Sequence, residues 1–98
     1  METNLVKVFM MRIEDRFDIT GKGVIVTGCV AIGEINVGDK ACITDQAGNI
    51  IVVTIKGIEQ FNKTLDCACT GDNVGIIVEG VTKAQISCGD LLNKIAWK

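Results

Sequence analysis

One stretch of this sequence combines residue types that could do chemistry. "DITGKGVIVTG", Asp18 to Gly28, sets three glycines and a lysine beside a run of β-branched residues. A glycine-rich loop with a lysine cradles phosphate when it reads G-x-x-x-x-G-K-[ST] and opens a helix. Here Gly21-Lys22 is followed by Gly23, and Val-Ile-Val-Thr then continues as a strand. No helix N-terminus follows to supply a dipole and a fan of amides. The dinucleotide fingerprint G-x-G-x-x-G fails too, because the spacing is G-x-G-x4-G.

Other fragments fail in similar ways. D-x-x-G, a magnesium-loop motif of GTPases, occurs at Asp18–Gly21 and Asp45–Gly48, both in turn-like sequence. "NKTL" at Asn62–Leu65 begins like a guanine-specificity motif, but Leu65 stands where an Asp must read the base. Bound GTP is therefore not expected. Cys67-Ala-Cys69 supplies two soft ligands, whereas a structural zinc needs four. Histidine is absent, which removes Cys/His zinc sites and His-based triads. Glu14-Asp15 on a strand would point to opposite faces and could not converge as an acid/base pair. No nucleophile, base and orienting group assemble, so neither catalysis, a metal nor a cofactor is expected.

The elements that must position these residues follow from composition. The chain has 98 residues, 48% apolar and 22% charged, with a net charge of −2. That length suits one small domain over 1–98. Without a basic block, broad charge-driven binding to nucleic acid is excluded, although a shaped site for one nucleotide is not. The five cysteines are odd in number and follow no apolar leader, so free thiols in a reducing cytoplasm are expected. No apolar run approaches the ~20 residues that span a bilayer, and no membrane partner is expected.

Apolar runs of strand length alternate with glycine turns: Leu5–Ile13, Gly23–Ile32, Lys40–Thr44, Asn49–Phe61, Asn73–Val81 and Asp90–Trp97. This regularity predicts an all-β antiparallel barrel or sandwich. Only Thr82–Ile86 is suited to a helical turn. Gly28 and Gly57 lie inside strand patterns and mark bends or bulges. Ile35-Asn-Val-Gly38-Asp39 and Ile86-Ser-Cys-Gly89-Asp90 both read I-x-x-G-D. An apolar plug, a left-handed glycine and an Asp that binds backbone amides would form the same turn twice. Trp97 with Met10–Met11 is expected to form an exposed apolar patch.

"IEDRFDITGKGVIVTGCVAIGEINVGD" (Ile13–Asp39) resembles the start of domain 2 of elongation factor Tu. "GIEQFNKTLDCACTGDNVGIIVEGV" (Gly57–Val81) resembles that family's second signature, and "ISCGDLLNK" its closing segment. The resemblance runs from about Met10 to Lys94. It implies a small closed antiparallel β-barrel of the translation-factor domain 2 type, without the GTPase domain and second barrel that accompany it in the family. The opening "METNLVKVFMMR" reads as an initiator region, so a stand-alone module is expected.

The resemblance also implies partners: the aminoacyl and 3′-adenosine end of tRNA, the ribosome, or a separately encoded GTPase or other protein domain. The adenosine side would map to Ile19, Gly21, Ile25, Glu59 and Ile77. The aminoacyl side would map to Glu14, Asp15, Phe17, Thr27, Gln60, Asn62 and Asn73. Apolar side chains pack on a base, glycine admits it to the backbone, and a carboxylate can bond a ribose hydroxyl. The family's arginines are replaced by Asn62 and Cys29. Two alternatives stand beside RNA binding: Ile19, Gly21, Ile25 and Ile77 serve only as turn and core, or the barrel is a protein-interaction or structural module.

Overall fold

The structure is a computed structural model that describes residues 5–97. It contains nine strands: β1 (Leu5–Arg12), β2 (Asp15–Ile19), β3 (Gly23–Asn36), β4 (Lys40–Thr44), β5 (Ile50–Gln60), β6 (Lys63–Leu65), β7 (Cys67–Cys69), β8 (Asn73–Glu79) and β9 (Leu91–Trp97). A single 3-10 turn covers Lys83–Gln85, within the segment expected to turn. Six strands close a ring in the order β1-β9-β4-β5-β8-β3, and β3 pairs back onto β1. All pairings are antiparallel, as the alternation predicts. β2 and β7 flank β3, and β6 folds back on β5.

β1, β4, β5, β8 and β9 follow the expected runs to within a few residues. β3 extends past Ile32 to Asn36 because its second half pairs with β1 and β7. Three short strands carry no sequence signal. β2, β6 and β7 are mostly exposed, so no buried face imposes an alternation on them.

The core is aliphatic. Ile13, Val26, Ile35, Ile55, Ile58, Ile76, Ile86 and Leu92 are fully buried, with Phe9 and Met11. The inward residues of β3 are even-numbered up to Val30 and odd-numbered at Ile35. The facing strand skips register between Met10 and Met11. A residue inserted there flips the pleat and bends the wall. Burial of Met11 corrects the expected patch. Met11 plugs the barrel and does not join a surface around Met10. The side chain of Trp97 lies outside the described residues.

Glycine makes this bend possible. A Cβ on Gly28 would strike the Arg12 carbonyl, and one on Gly33, at φ +82°, would strike the Val8 carbonyl. Gly57 marks a second shift of register, between Ile55 and Gly57 in the β5–β8 pairing.

The I-x-x-G-D turns have the expected geometry. Asp39 Oδ2 accepts from the Asn36 amide at 2.9 Å, and Asp90 Oδ2 from the Ser87 amide at 2.8 Å. The glycines stand at φ +95° and +98°, and Ile35 and Ile86 are fully buried. A third copy appears at Ala68-Cys-Thr-Gly71-Asp72. Asp72 Oδ2 accepts from the Cys69 amide at 2.9 Å, Gly71 has φ +92°, and Ala68 is the buried plug. Ala68 stands where the other two copies have isoleucine, so this copy does not read I-x-x-G-D.

Asp39 also holds Lys94 at 2.9 Å, tying the turn to β9. Partial burial raises the Asp39 pKa, but the Lys94 ammonium and the Asn36 amide outweigh it and keep the carboxyl below its ordinary 3.8. A depressed carboxyl stabilises the fold above its unfolded pKa, and this stabilisation fades as pH falls through the folded value. Asp39→Asn should therefore lower Tm at pH 7, and the gap from wild type should narrow below about pH 4 in melts across pH. Gly33→Ala should cost more than about 3 kcal/mol in urea unfolding, because backbone blocks its Cβ as well as its φ. Gly48→Ala, at φ +90° but with open space around its Cβ, should cost only about 1 kcal/mol.

Candidate functional site

Cross-strand register assembles a continuous outer face. Asp15, Thr27, Gly75, Glu59 and Thr64 pair in one unbroken row across β2, β3, β8, β5 and β6. Two residues along each strand, Phe17, Ile25, Ile77 and Gly57 form the next row. Side chains two apart share a face, so both rows look away from the core. Ile19 lies opposite Gly23 beyond the second row, and Asn73 lies opposite Cys29 beyond the first.

Ile19 and Ile77 therefore lie outside the core, and Ile25, though buried, lies outside the cluster within the barrel. Ile19 is 39% exposed. Ile25 reaches only 9% exposure by lying across Gly75, where a Cβ would come within 2.8 Å of its Cδ1. Ile77 lies over Gly57 in the same way, at 3.1 Å. Two missing side chains thus seat two isoleucines as a shallow apolar floor. Gly75 was not singled out in the sequence, although it closes the D-N-V-G segment of the second signature.

Glu59 stands beside this floor. Its Oε2 accepts from Lys22 Nζ at 2.6 Å, in a pair whose side chains are 50% and 31% exposed. Lys22 thus reaches from the β2–β3 turn to β5. The lysine of the glycine-rich loop is occupied by a carboxylate and no phosphate cradle forms. Gly21 takes φ +81° with nothing near its missing side chain. Gly21 and Gly23 make the turn between strands, and the Lys22 amide donates to the Ile19 carbonyl at 2.9 Å.

The remaining mapped residues sit at the margin. Glu14 precedes β2, and its amide donates to the Thr27 carbonyl at 2.8 Å. Gln60 spends its side-chain amide on the Asn73 carbonyl at 3.0 Å. Asn62 forms, with Phe61, the two-residue tip of the β5–β6 hairpin, at φ +63° and +50°. Both central residues of such a turn need positive φ, which asparagine tolerates far better than a branched side chain. Phe61 is 85% exposed there. Asn62 therefore lies outside the two rows.

Cys67 and Cys69 stand beside carboxylates. The Asp72 carboxylate accepts from the Cys69 thiol at 3.5 Å and raises its pKa. Desolvation first, and the Glu34 carboxylate next, raise that of Cys67. Protonated thiols are poor nucleophiles and poor ligands. Among the described residues no three Cys, Asp or Glu side chains are placed to share a metal ion.

The family model for elongation factor Tu domain 2 matches residues 23–92. The chain belongs to this family. It is also similar to a solved structure, translation elongation factor SelB from Methanococcus maripaludis in its apo form, with 29% identity and a TM-score of 0.78. That match covers 91% of this chain and 19% of the SelB chain, so the chain spans about a fifth of SelB. The resemblance read from the two signatures is borne out, as is the closed barrel of translation-factor domain 2 type.

The isoleucine floor of this domain 2 barrel can be tested directly. Gly75→Ala must displace Ile25, the flexible end of a side chain, and should cost about 1 kcal/mol. Methyl NMR should show shifts at Ile25 and Ile77 with little change at the buried Ile35 and Ile58.

Proposed function

We propose that the face built by β2, β3, β8 and β5 binds the 3′-terminal adenosine and aminoacyl group of charged tRNA. The observation that carries this reading is the register itself. Residues mapped from two signatures far apart in sequence fall on adjacent rows of one surface. In the proposed complex, Ile25 and Ile77 pack against the base and the side-chain-free Gly21 leaves room at the edge. Glu59, held by Lys22, accepts a hydrogen bond from a ribose hydroxyl. Asp15, Thr27 and Asn73 face the aminoacyl end. A single terminal nucleotide is read by shape and edge hydrogen bonds, so a net charge of −2 is no obstacle.

The module is proposed to act without catalysis, in the cytoplasm, alongside a GTPase domain or at the ribosome. The rival reading, a protein-interaction module that has given up RNA, is favoured by Cys29 and Asn62, where the family's arginines are replaced.

Binding of an aminoacylated acceptor-stem minihelix, followed by fluorescence anisotropy, separates the two. The expected result is measurable binding that prefers the charged over the uncharged stem. Glu59→Ala should weaken it about tenfold, as loss of a charge-assisted hydrogen bond does. The fold should be unchanged, because Glu59 is partly exposed. No binding by the wild type to either stem would overturn RNA recognition.

A further inference from the structure

A second surface lies on the wall made by β1, β9, β4 and the first half of β5. Val52, Cys42, Asn93, Met10 and Ile32 pair in register in a single row across β5, β4, β9, β1 and β3. The next row runs Ile50, Thr44, Leu91, Arg12. Ile50 and Val52 are 63% and 61% exposed, and Ile32 and Ile95 nearly half. In an antiparallel barrel an outward β5 position would ordinarily be polar, yet Ile50 and Val52 alternate with the inward Ile51 and Val53.

The charges on this wall are of one sign. β1, β4, β9 and residues 50–55 carry Lys7, Arg12, Lys40 and Lys94 and not one Asp or Glu. All this occurs in a chain with twelve acidic residues. Lys94 is neutralised by Asp39. Lys40 Nζ donates only to Thr54 Oγ1 at 2.7 Å, and Lys7, Arg12 and Lys40 have no carboxylate partner among the described residues. The acids that border the wall are engaged: Asp39, before Lys40, holds Lys94; Asp45, after Thr44, accepts from Asn49; and Glu79, opposite Thr54, is paired with Lys56.

We infer that this wall docks an acidic amphipathic segment of another protein, one with aliphatic residues flanked by Asp or Glu. Charge complementarity selects that occupant. A second copy of this chain would set cations against cations across a two-fold axis, which is repulsive. RNA would find phosphate partners in the lysines but no aromatic side chain in either row on which to stack a base. Because the ring of strands has no open edge here, the partner docks through side chains and not by strand addition. Val52, Ile50 and Ile32 supply burial around Asn93, itself only 2% exposed, and Lys40 and Arg12 set orientation.

Panning a random peptide library on the full chain tests this. Enriched peptides should share aliphatic residues flanked by Asp or Glu. A synthetic consensus peptide should lose at least about tenfold in affinity with Val52→Glu and with Lys40→Glu, since each sets like charges against it. Both positions are exposed, and an unchanged Tm will show that the variants fold. Glu59→Ala should leave peptide affinity unchanged, which separates this surface from the proposed RNA face. The inference is overturned by enrichment no better than on an unrelated protein, by peptides without acidic residues, or by binding that survives Val52→Glu. Dimerisation abolished by Val52→Glu would overturn it in favour of self-association. Phosphatidylserine vesicle binding lost in the same variants would overturn it in favour of a membrane.

Discussion

The close approach of β1 to β3 is the constraint on which the rest of the molecule depends. The backbone of β1 passes over Gly28 and Gly33 so closely that neither position has room for a Cβ. That contact closes the ring. It also divides β3 into two working halves, the first between β2 and β8 and the second between β1 and β7. The proposed RNA face stands on the first half. The cationic wall ends on the second. One strand, bent at a fixed place, therefore sets the geometry of both surfaces.

Much of this architecture is legible in the sequence because burial writes itself as alternation. Where a strand lines the core, as from Lys40 to Thr44, the pattern is plain. Where a strand is exposed, as in Asp15–Ile19 or Cys67–Cys69, no buried face demands a period and the strand is invisible. The turns show the same limit. Ile35 and Ile86 announce their turns through a large buried plug, whereas the third turn uses Ala68, whose burial leaves no trace in composition. Its Asp72 and Gly71 do the same work as their counterparts, on bonds of the same length.

The candidate site was legible in its members and not in its mechanics. Family signatures pick out Ile25, Ile77 and Glu59, but no spacing rule places Gly75 beneath Ile25 or joins Lys22 to a carboxylate 37 residues away. Both facts are products of cross-strand register, which is decided by the whole barrel. They alter the reading of the residues. Ile25 and Ile77 fill the space that two glycines leave on the outer face. Likewise Lys22, read alone, suggests phosphate, but bound to Glu59 it orients a carboxylate beside an apolar floor.

The distribution of charge then decides what kinds of recognition are open to a chain of net charge −2. Acidic residues gather on the turns and on the face built by β2, β3, β8 and β5, where Asp15 and Glu59 stand in the row beside Ile25 and Ile77. The opposite wall has the reverse character. It joins aliphatic rows to cations that lack partners among the described residues, and it suits an acidic ligand of apolar character. β5 contributes Ile50 and Val52 to that wall and Glu59 to the other face, at opposite ends of one strand. The two surfaces therefore share a strand without sharing residues, so the partners proposed for them do not compete for the same side chains.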